Sequence, residues 1–314
     1  MRYLLGLPTD DVARREEFGT VEALGEMART VESSGYDGVF VTDHPMPPES
    51  FIRSGGHHAL EPTVALAVVA AATTSLRLMT NLYVLAYRNP FLAAKAIASL
   101  DSLSGGRVIF GTGAGYLEPE FRALGADFDA RNDRLDEAID LIKAAWTGEP
   151  VDAVGVGFEA RGNVALPMPV QVPHPPIWIG GNSRRALRRA AERGDGWLPM
   201  PAPKKFAKAV RSAPLETLTD LARMLDTLRE ESERLGREVP PDVMFGPIGI
   251  ASYGTPEFDA SAYLDQVAEL ERLGVTSAHV MFSHPGHGGI ASRAEFLELA
   301  EGFARDVGIA RRSS

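Results

Sequence analysis

The stretch "TDHP", residues 42–45, sets an acid and an imidazole side by side where an apolar run ends. Histidine exchanges protons near neutral pH, so Asp43 and His44 are candidates for proton transfer. The plainer reading has Asp43 capping a turn and His44 packing. Farther on, "GTGAGYLEPEF" (111–121) offers Gly111, Gly113 and Gly115, whose bare backbone lets a flat ligand approach. Tyr116 follows, and an aromatic ring suits a cofactor pocket; Glu118 and Glu120 could be pocket carboxylates, although exposed loop glutamates are the commoner case. The run is not a dinucleotide fingerprint, because Tyr116 replaces the last glycine of GxGxxG and no helix is expected directly after it. A third stretch, "IGGNSRR" (179–185), has Gly180 and Gly181 at a turn and Asn182 or Ser183 as helix cap. Arg184 and Arg185 in the first turn oppose the helix dipole, so a bound anion would reconcile them with the free N–H groups there. A structural turn and cap is the alternative, since Arg188 and Arg189 make the helix basic throughout. Asn81, polar within "LRLMTNLYV", is either a surface-facing strand residue or a ligand contact.

Other chemistries find less support. The chain has no cysteine, which removes disulfides, thiolate nucleophiles and cysteine-ligated metals. "GGHH" (His57, His58) and "HPGH" (His284, His287) lack a carboxylate set or helical spacing, so no metal site is expected. A net charge of −10 argues against a general nucleic-acid or anionic-membrane binder. No run approaches the roughly 18 apolar residues of a membrane span, and "MRYLLGLPTDD" does not read as a signal peptide. A cytoplasmic protein of one domain is the expectation.

The elements that must position these residues alternate along the chain. "RYLLGLP", "DGVFVTDH", "LRLMTNLYV", "RVIFGTGAG", "PIWIGG", "DGWLPM", "DVMFGPIGIAS" and "AHVMFS" are eight strand candidates, each followed by helix. A helix around 18–34 places Val21, Leu24, Ala28 and Val31 on one face; an Ala/Val-rich helix over about 62–72 reads as core. Asn89, Pro90 and Gly105 mark the start and stop of the next helix, and Gly194 ends the Arg-rich one. Eight strand-helix units predict a closed (β/α)8 barrel over residues 1–314, with an open doubly wound sheet as the alternative. Residues 149–173 read as an insertion between units four and five, a small hairpin or loop excursion. In such a barrel the C-terminal strand ends carry the active site, and Asp43, Asn81, Gly113 and Gly180 all fall there.

Taken together, "GYDGVFVTDHP", "NLYVLAYRNPFLAAKAIASLDSLSGGRVIFGTGAGYLEPEF" and "PHPPIWIGGNSRRALRRAAERGDGW" resemble the bacterial luciferase-like monooxygenase superfamily. Within it they are most similar to the deazaflavin (coenzyme F420)-dependent oxidoreductases. The resemblance is weakest in 149–173 and after about residue 203. It implies a TIM-like barrel of the luciferase type holding a deazaflavin or flavin, with the phosphate at the fifth strand-helix junction. Asp43 and His44 match the acid-histidine pair beside the reactive ring. Asn81 and Leu82 match a third-strand bulge that often carries a non-prolyl cis peptide. Gly113, Gly115 and Tyr116 match the loop along the cofactor, and Gly180, Gly181, Asn182 and Ser183, with Arg184 nearby, match the phosphate loop. Tyr116 stands where some branches carry an acidic residue, a departure that leaves a proton role there open.

The reaction this implies is hydride transfer to or from a small organic substrate, with His44, oriented by Asp43, shuttling a proton. The alternative is an FMN-dependent monooxygenase that uses O2 and reduced flavin from a partner reductase; a cofactor-binding protein without turnover ranks behind both. Family members frequently form homodimers. Substrate specificity is expected from loops 45–61, 116–128 and 282–291, which hold Phe51, His57, His58 and His287.

Overall fold

Strands buried on both faces read as largely apolar runs, and Gly38–Val41, Val108–Gly113, Ile177–Gly180 and Gly196–Leu198 are buried at every position. The computed structural model describes residues 1–282 and 290–309. Its strands are β1 (Arg2–Gly6), β2 (Gly38–Val41), β3 (Arg77–Thr80), β4 (Tyr83–Val84), β5 (Val108–Gly113), β6 (Val151–Gly155), β7 (Phe158–Asn163), β8 (Ile177–Gly180), β9 (Gly196–Leu198), β10 (Asp242–Phe245) and β11 (Ser277–Val280). The main sheet runs β3-β2-β1-β11-β10-β9-β8-β5, and β3 pairs with β5, which closes it. Every pairing around the ring is parallel. The fold is therefore the closed eight-stranded barrel, and the open sheet is excluded.

Alternation along each strand divides two cores. Leu4, Phe40, Met79, Ile109, Trp178, Leu198 and Met244 form one buried cluster, a residue from each of seven strands, with Leu82 and Met281 packed on it. This is the filling of the barrel. Their neighbours Leu5, Val39, Leu78, Val108, Ile177, Trp197 and Val243 belong to the larger cluster beneath the helices.

Helix ends follow their capping residues. Asn89 Oδ1 accepts from the amides of Phe91 and Leu92 to start Pro90–Ser104, and Gly105 stops it in the left-handed conformation at φ 67°. Ser183, not Asn182, caps Arg184–Arg193, accepting from the Ala186 amide, and Gly194 follows its last residue. The helix Val21–Ser33 buries Leu24, Met27, Ala28 and Val31, but Val21 at its first position is exposed. Residues 151–163 form the antiparallel hairpin β6–β7 outside the barrel.

Three local expectations need correction. The third run is not one strand: it breaks after Thr80, passes through a cis Asn81–Leu82 peptide, and resumes as β4 against β5. A short helix, Glu118–Ala123, begins two residues after Tyr116, where none was expected. Loop 45–61 likewise holds a short helix, Glu49–Arg53.

Candidate active site

Asp43 and His44 leave the end of β2 and are both buried, yet they turn to different partners. The Asp43 carboxylate is gripped by Arg88, whose Nη1 reaches Oδ2 at 2.6 Å and Nη2 reaches Oδ1 at 3.0 Å. The Val84 amide donates to Oδ2 at 2.9 Å and the Tyr87 hydroxyl at 3.4 Å. The Arg88 guanidinium lies 3.9 Å over the Tyr83 ring and 4.9 Å over Tyr87. Burial alone would make this guanidinium less basic, but the Asp43 charge and its hydrogen bonds raise its pKa. Burial, with the Asp43 charge adding to it, drives the Tyr87 phenol upward. Asp43 therefore ties the end of β2 to the β4 segment, and its oxygens are spent there. The expected Asp43–His44 couple is not what the residues form.

The carboxylate that meets His44 is Glu120. On the short helix Glu118–Ala123 it is 2% exposed, accepting from the Met46 amide at Oε1 (3.0 Å) and facing His44 Nδ1 from Oε2 at 3.2 Å. With the carboxylate accepting, Nδ1 carries the hydrogen, and in the neutral ring Nε2 then keeps its lone pair. The Tyr116 hydroxyl lies 3.2 Å from that Nε2, in position to donate to the neutral ring. Burial, reinforced by the Glu120 charge, pushes the Tyr116 phenol up to about 12. The rings of Phe51 and His57 pack on His44 with centroids at 5.1 and 4.8 Å. Burial and the neighbouring His44 lower the His57 pKa to about 4. Glu118 points away, pairing with Arg122 at 3.0 Å, and His58 is exposed. His284 and His287 lie outside the described residues.

The strand-end glycines serve mainly to seat Leu82. A Cβ at Gly180 would fall 2.3 Å from Leu82 Cδ1, and one at Gly113 2.7 Å from the same atom. Leu82 thus spreads across β5 and β8 on top of the barrel filling, an apolar floor to the mouth. Gly115, at φ +75°, is closed off by Val84 and Phe121, and Gly111 by the Thr80 carbonyl. Those bare backbones accept protein groups rather than a flat ligand. Gly181 differs: at φ +112° its only near neighbour would be Ala186 Cβ at 3.4 Å. Asn81 is half-buried, its amide held by the Val41 carbonyl at 2.8 Å.

At the β8 junction most of the arginines already have anionic partners within the chain. Arg185 opposes the helix dipole because it pairs with Asp133 and Asp136 of the neighbouring helix Arg131–Trp146, with Asp136 at 2.6 Å. Buried Arg189 pairs with the same Asp136 and with Asn132, and Arg193 pairs with Asp140. Burial would raise the Asp136 carboxyl, but Arg189 and Arg185 hold it below the usual range. The basic stripe therefore has its anions within the chain. Asn182 is also committed: its amide donates to the Met200 and Ala213 carbonyls at 2.7 and 3.2 Å and its oxygen accepts from the Met200 amide at 3.0 Å. The Gly181 amide bonds the Leu198 carbonyl. What remains for a ligand is the first turn itself, where the amides of Arg184 and Arg185 have no intrahelical acceptor, and Arg184 is exposed.

The family model for luciferase-like monooxygenases matches residues 1–252. The chain belongs to that family. Among luciferase-like relatives, the F420-dependent glucose-6-phosphate dehydrogenase of Nocardia farcinica is 30% identical over 232 residues, 72% of this chain and 63% of the relative. The F420-dependent hydroxymycolic acid dehydrogenase of Mycobacterium tuberculosis is 32% identical over 190 residues, 60% of this chain and 51% of the relative. The chain thus spans less than two thirds of the length of these curated relatives. The monooxygenase RslO1 from Streptomyces bottropensis superposes with a TM-score of 0.76, covering 98% of both chains at 18% identity, a likeness of fold. Among the described residues no helix is long and apolar enough to cross a membrane.

Arg88, Tyr87 and Glu120 are the residues that sequence reasoning passed over or undervalued. Glu120 had one available signal: two residues on from Glu118, it falls on the opposite side of any helix begun there, beside the apolar Phe121.

Proposed function

We propose that this protein is a coenzyme F420 (deazaflavin)-dependent oxidoreductase that moves a hydride to or from a small organic substrate. The observation that carries the reading is the chain Glu120–His44–Tyr116 at the barrel mouth beside the apolar floor of Leu82. The names of two relatives, both F420-dependent dehydrogenases, support the choice of cofactor.

The residues fit such a group. Leu82 and Met281, seated on the barrel filling, offer an apolar rest for a ring system and keep water from beneath it. The open backbone at Gly181, the Ser183 cap and the first-turn amides of Arg184 and Arg185, with the Arg184 side chain, would hold a phosphate. Asn182 helps by bolting that turn to the loop at Met200 and Ala213. When bound, the deazaflavin supplies a ring carbon able to accept or give a hydride. His44 then sits in a water-poor place with one tautomer fixed by Glu120, ready to take a proton at Nε2. Asp43, held by Arg88, keeps the β2 and β4 ends in register for this.

The test is to titrate cofactor-free protein with coenzyme F420 and with FMN. Tighter binding of the deazaflavin is expected. Preference for FMN would replace this reading with an O2-using monooxygenase supplied by a reductase, the reading favoured by the family model's own description. Binding of neither would overturn both. Gly181→Asp, which brings charge and bulk to the open glycine just past the end of β8, is expected to weaken the cofactor; unchanged affinity would remove the phosphate cradle.

A further inference from the structure

His44 has no ring edge left for a substrate. Nδ1 faces Glu120 at 3.2 Å, Nε2 faces Tyr116 at 3.2 Å, and Phe51 and His57 pack against it. Tyr116, by contrast, follows β5 at the mouth and is only half-buried. Its ring meets His44 edge-on at 5.9 Å and Phe51 at 6.4 Å, so the hydroxyl is held in place from two sides.

We propose that the Tyr116 hydroxyl is the group that exchanges a proton with the substrate, at the oxygen of a hydroxyl–carbonyl couple, and that His44 and Glu120 act behind it. This rests on the oxidoreductase reading above. In the oxidising direction the substrate O–H bond breaks and its proton goes to Tyr116 Oη, while the proton already on Tyr116 passes to His44 Nε2. A bound deazaflavin would supply the acceptor for the hydrogen and both electrons that the substrate carbon gives up as the C=O bond forms. His44 is then a cation facing the Glu120 carboxylate, until Nε2 hands its proton back to Tyr116 Oη, which releases its own to solvent as product leaves. Reduction runs the same steps backward. The hydroxyl already lies 3.2 Å from Nε2, so the relay is in place before substrate arrives. Tyr116 is thus a catalytic residue by contact, and His44 and Glu120 are positioning and relay residues.

Histidine labelled with 15N in cofactor-free protein reads the relay without turnover. Wild type is expected to show hydrogen on Nδ1 of His44 and a hydrogen-bonded Nε2. Tyr116→Phe should move the Nε2 resonance toward that of a free acceptor and leave Nδ1 in place; an unmoved Nε2 would overturn the relay. The same variant, loaded with F420 and offered secondary alcohols such as 2-propanol and cyclohexanol, should bind cofactor as tightly as wild type and turn over about 10²- to 10⁴-fold more slowly. If Tyr116→Phe keeps its turnover while His44→Gln loses it, His44 acts directly and the proposal falls. Tight F420 binding by wild type with no alcohol oxidised and no matching ketone reduced would overturn the hydroxyl–carbonyl assignment. Failure to bind F420 would instead overturn the cofactor reading, and the 15N spectra would still judge the hydrogen bond on its own.

Discussion

Glu118 and Glu120 show how much can hang on a single residue. Both lie on one short helix, yet Glu118 forms an exposed i,i+4 pair with Arg122 while Glu120 is buried against His44 and the Met46 amide. Removing Glu118 loses an exposed ion pair, worth about 0.3–0.5 kcal/mol. Removing Glu120 leaves a buried imidazole N–H and a backbone amide without acceptors, at about 1–3 kcal/mol for each group. Urea denaturation should therefore show Glu120→Ala much less stable than Glu118→Ala, and equal midpoints would mean that the carboxylate does not satisfy those donors. Arg88 makes a stronger case, since its partner Asp43 is nearly fully buried. Arg88→Met leaves that carboxylate uncompensated, and breaking a buried pair from one side costs about 3–5 kcal/mol. Its unfolding midpoint should fall accordingly, and a loss under ~1 kcal/mol would put Asp43 in the exposed class.

At the scale of elements, the helix Arg184–Arg193 leans on Arg131–Trp146 through Arg185, Arg189 and Arg193 set against Asp133, Asp136 and Asp140. Spacings of four residues along the arginines and of three and four along the aspartates place these charges in facing rows. If the first turn holds a phosphate, the two leading arginines should behave differently. Arg185→Ala should leave F420 affinity unchanged, because that side chain is committed to Asp133 and Asp136, whereas Arg184→Ala should weaken it. Equal effects in titration would mean that Arg185 swings free when cofactor binds. Ser183→Ala should cost about 0.5–2 kcal/mol of stability as a lost N-cap. The limits of reading sequence are plain in this same region. Local signals were legible: Asn89, Pro90, Gly105 and Gly194 bounded helices where they were expected to, and eight apolar runs gave eight barrel strands. The partners of Arg185 and Asp43 were not, since each lies some 45 to 52 residues away and is chosen by packing. Adjacency suggested Asp43 for His44, but successive residues leaving a strand face opposite ways. The helix that carries Glu120 is under two turns long, too short for apolar periodicity to announce it.

The whole barrel registers protonation at its mouth as a change in stability, and two groups there pull in opposite directions. His57, packed on His44, has its folded pKa lowered from 6.5 to about 4 by burial and the neighbouring ring. The unfolded chain therefore binds this proton more readily, so the His57 contribution is whole above pH 6.5 and is lost as pH falls toward 4. Asp10, on the loop after β1, has its folded pKa raised from 3.8 to about 6 by burial, with Asp11 adding to it. Its contribution is whole below pH 3.8 and is lost as pH rises through 6. Across the interval between these values the two slopes offset each other, and each is exposed by removing the other. In thermal melts from pH 4 to 7, the melting temperature of His57→Gln should decline relative to wild type as pH rises, because only the Asp10 slope remains. That of Asp10→Asn should rise relative to wild type over the same range. Curves parallel to wild type for both variants would mean that neither group feels the folded barrel, and would return both side chains to open solvent.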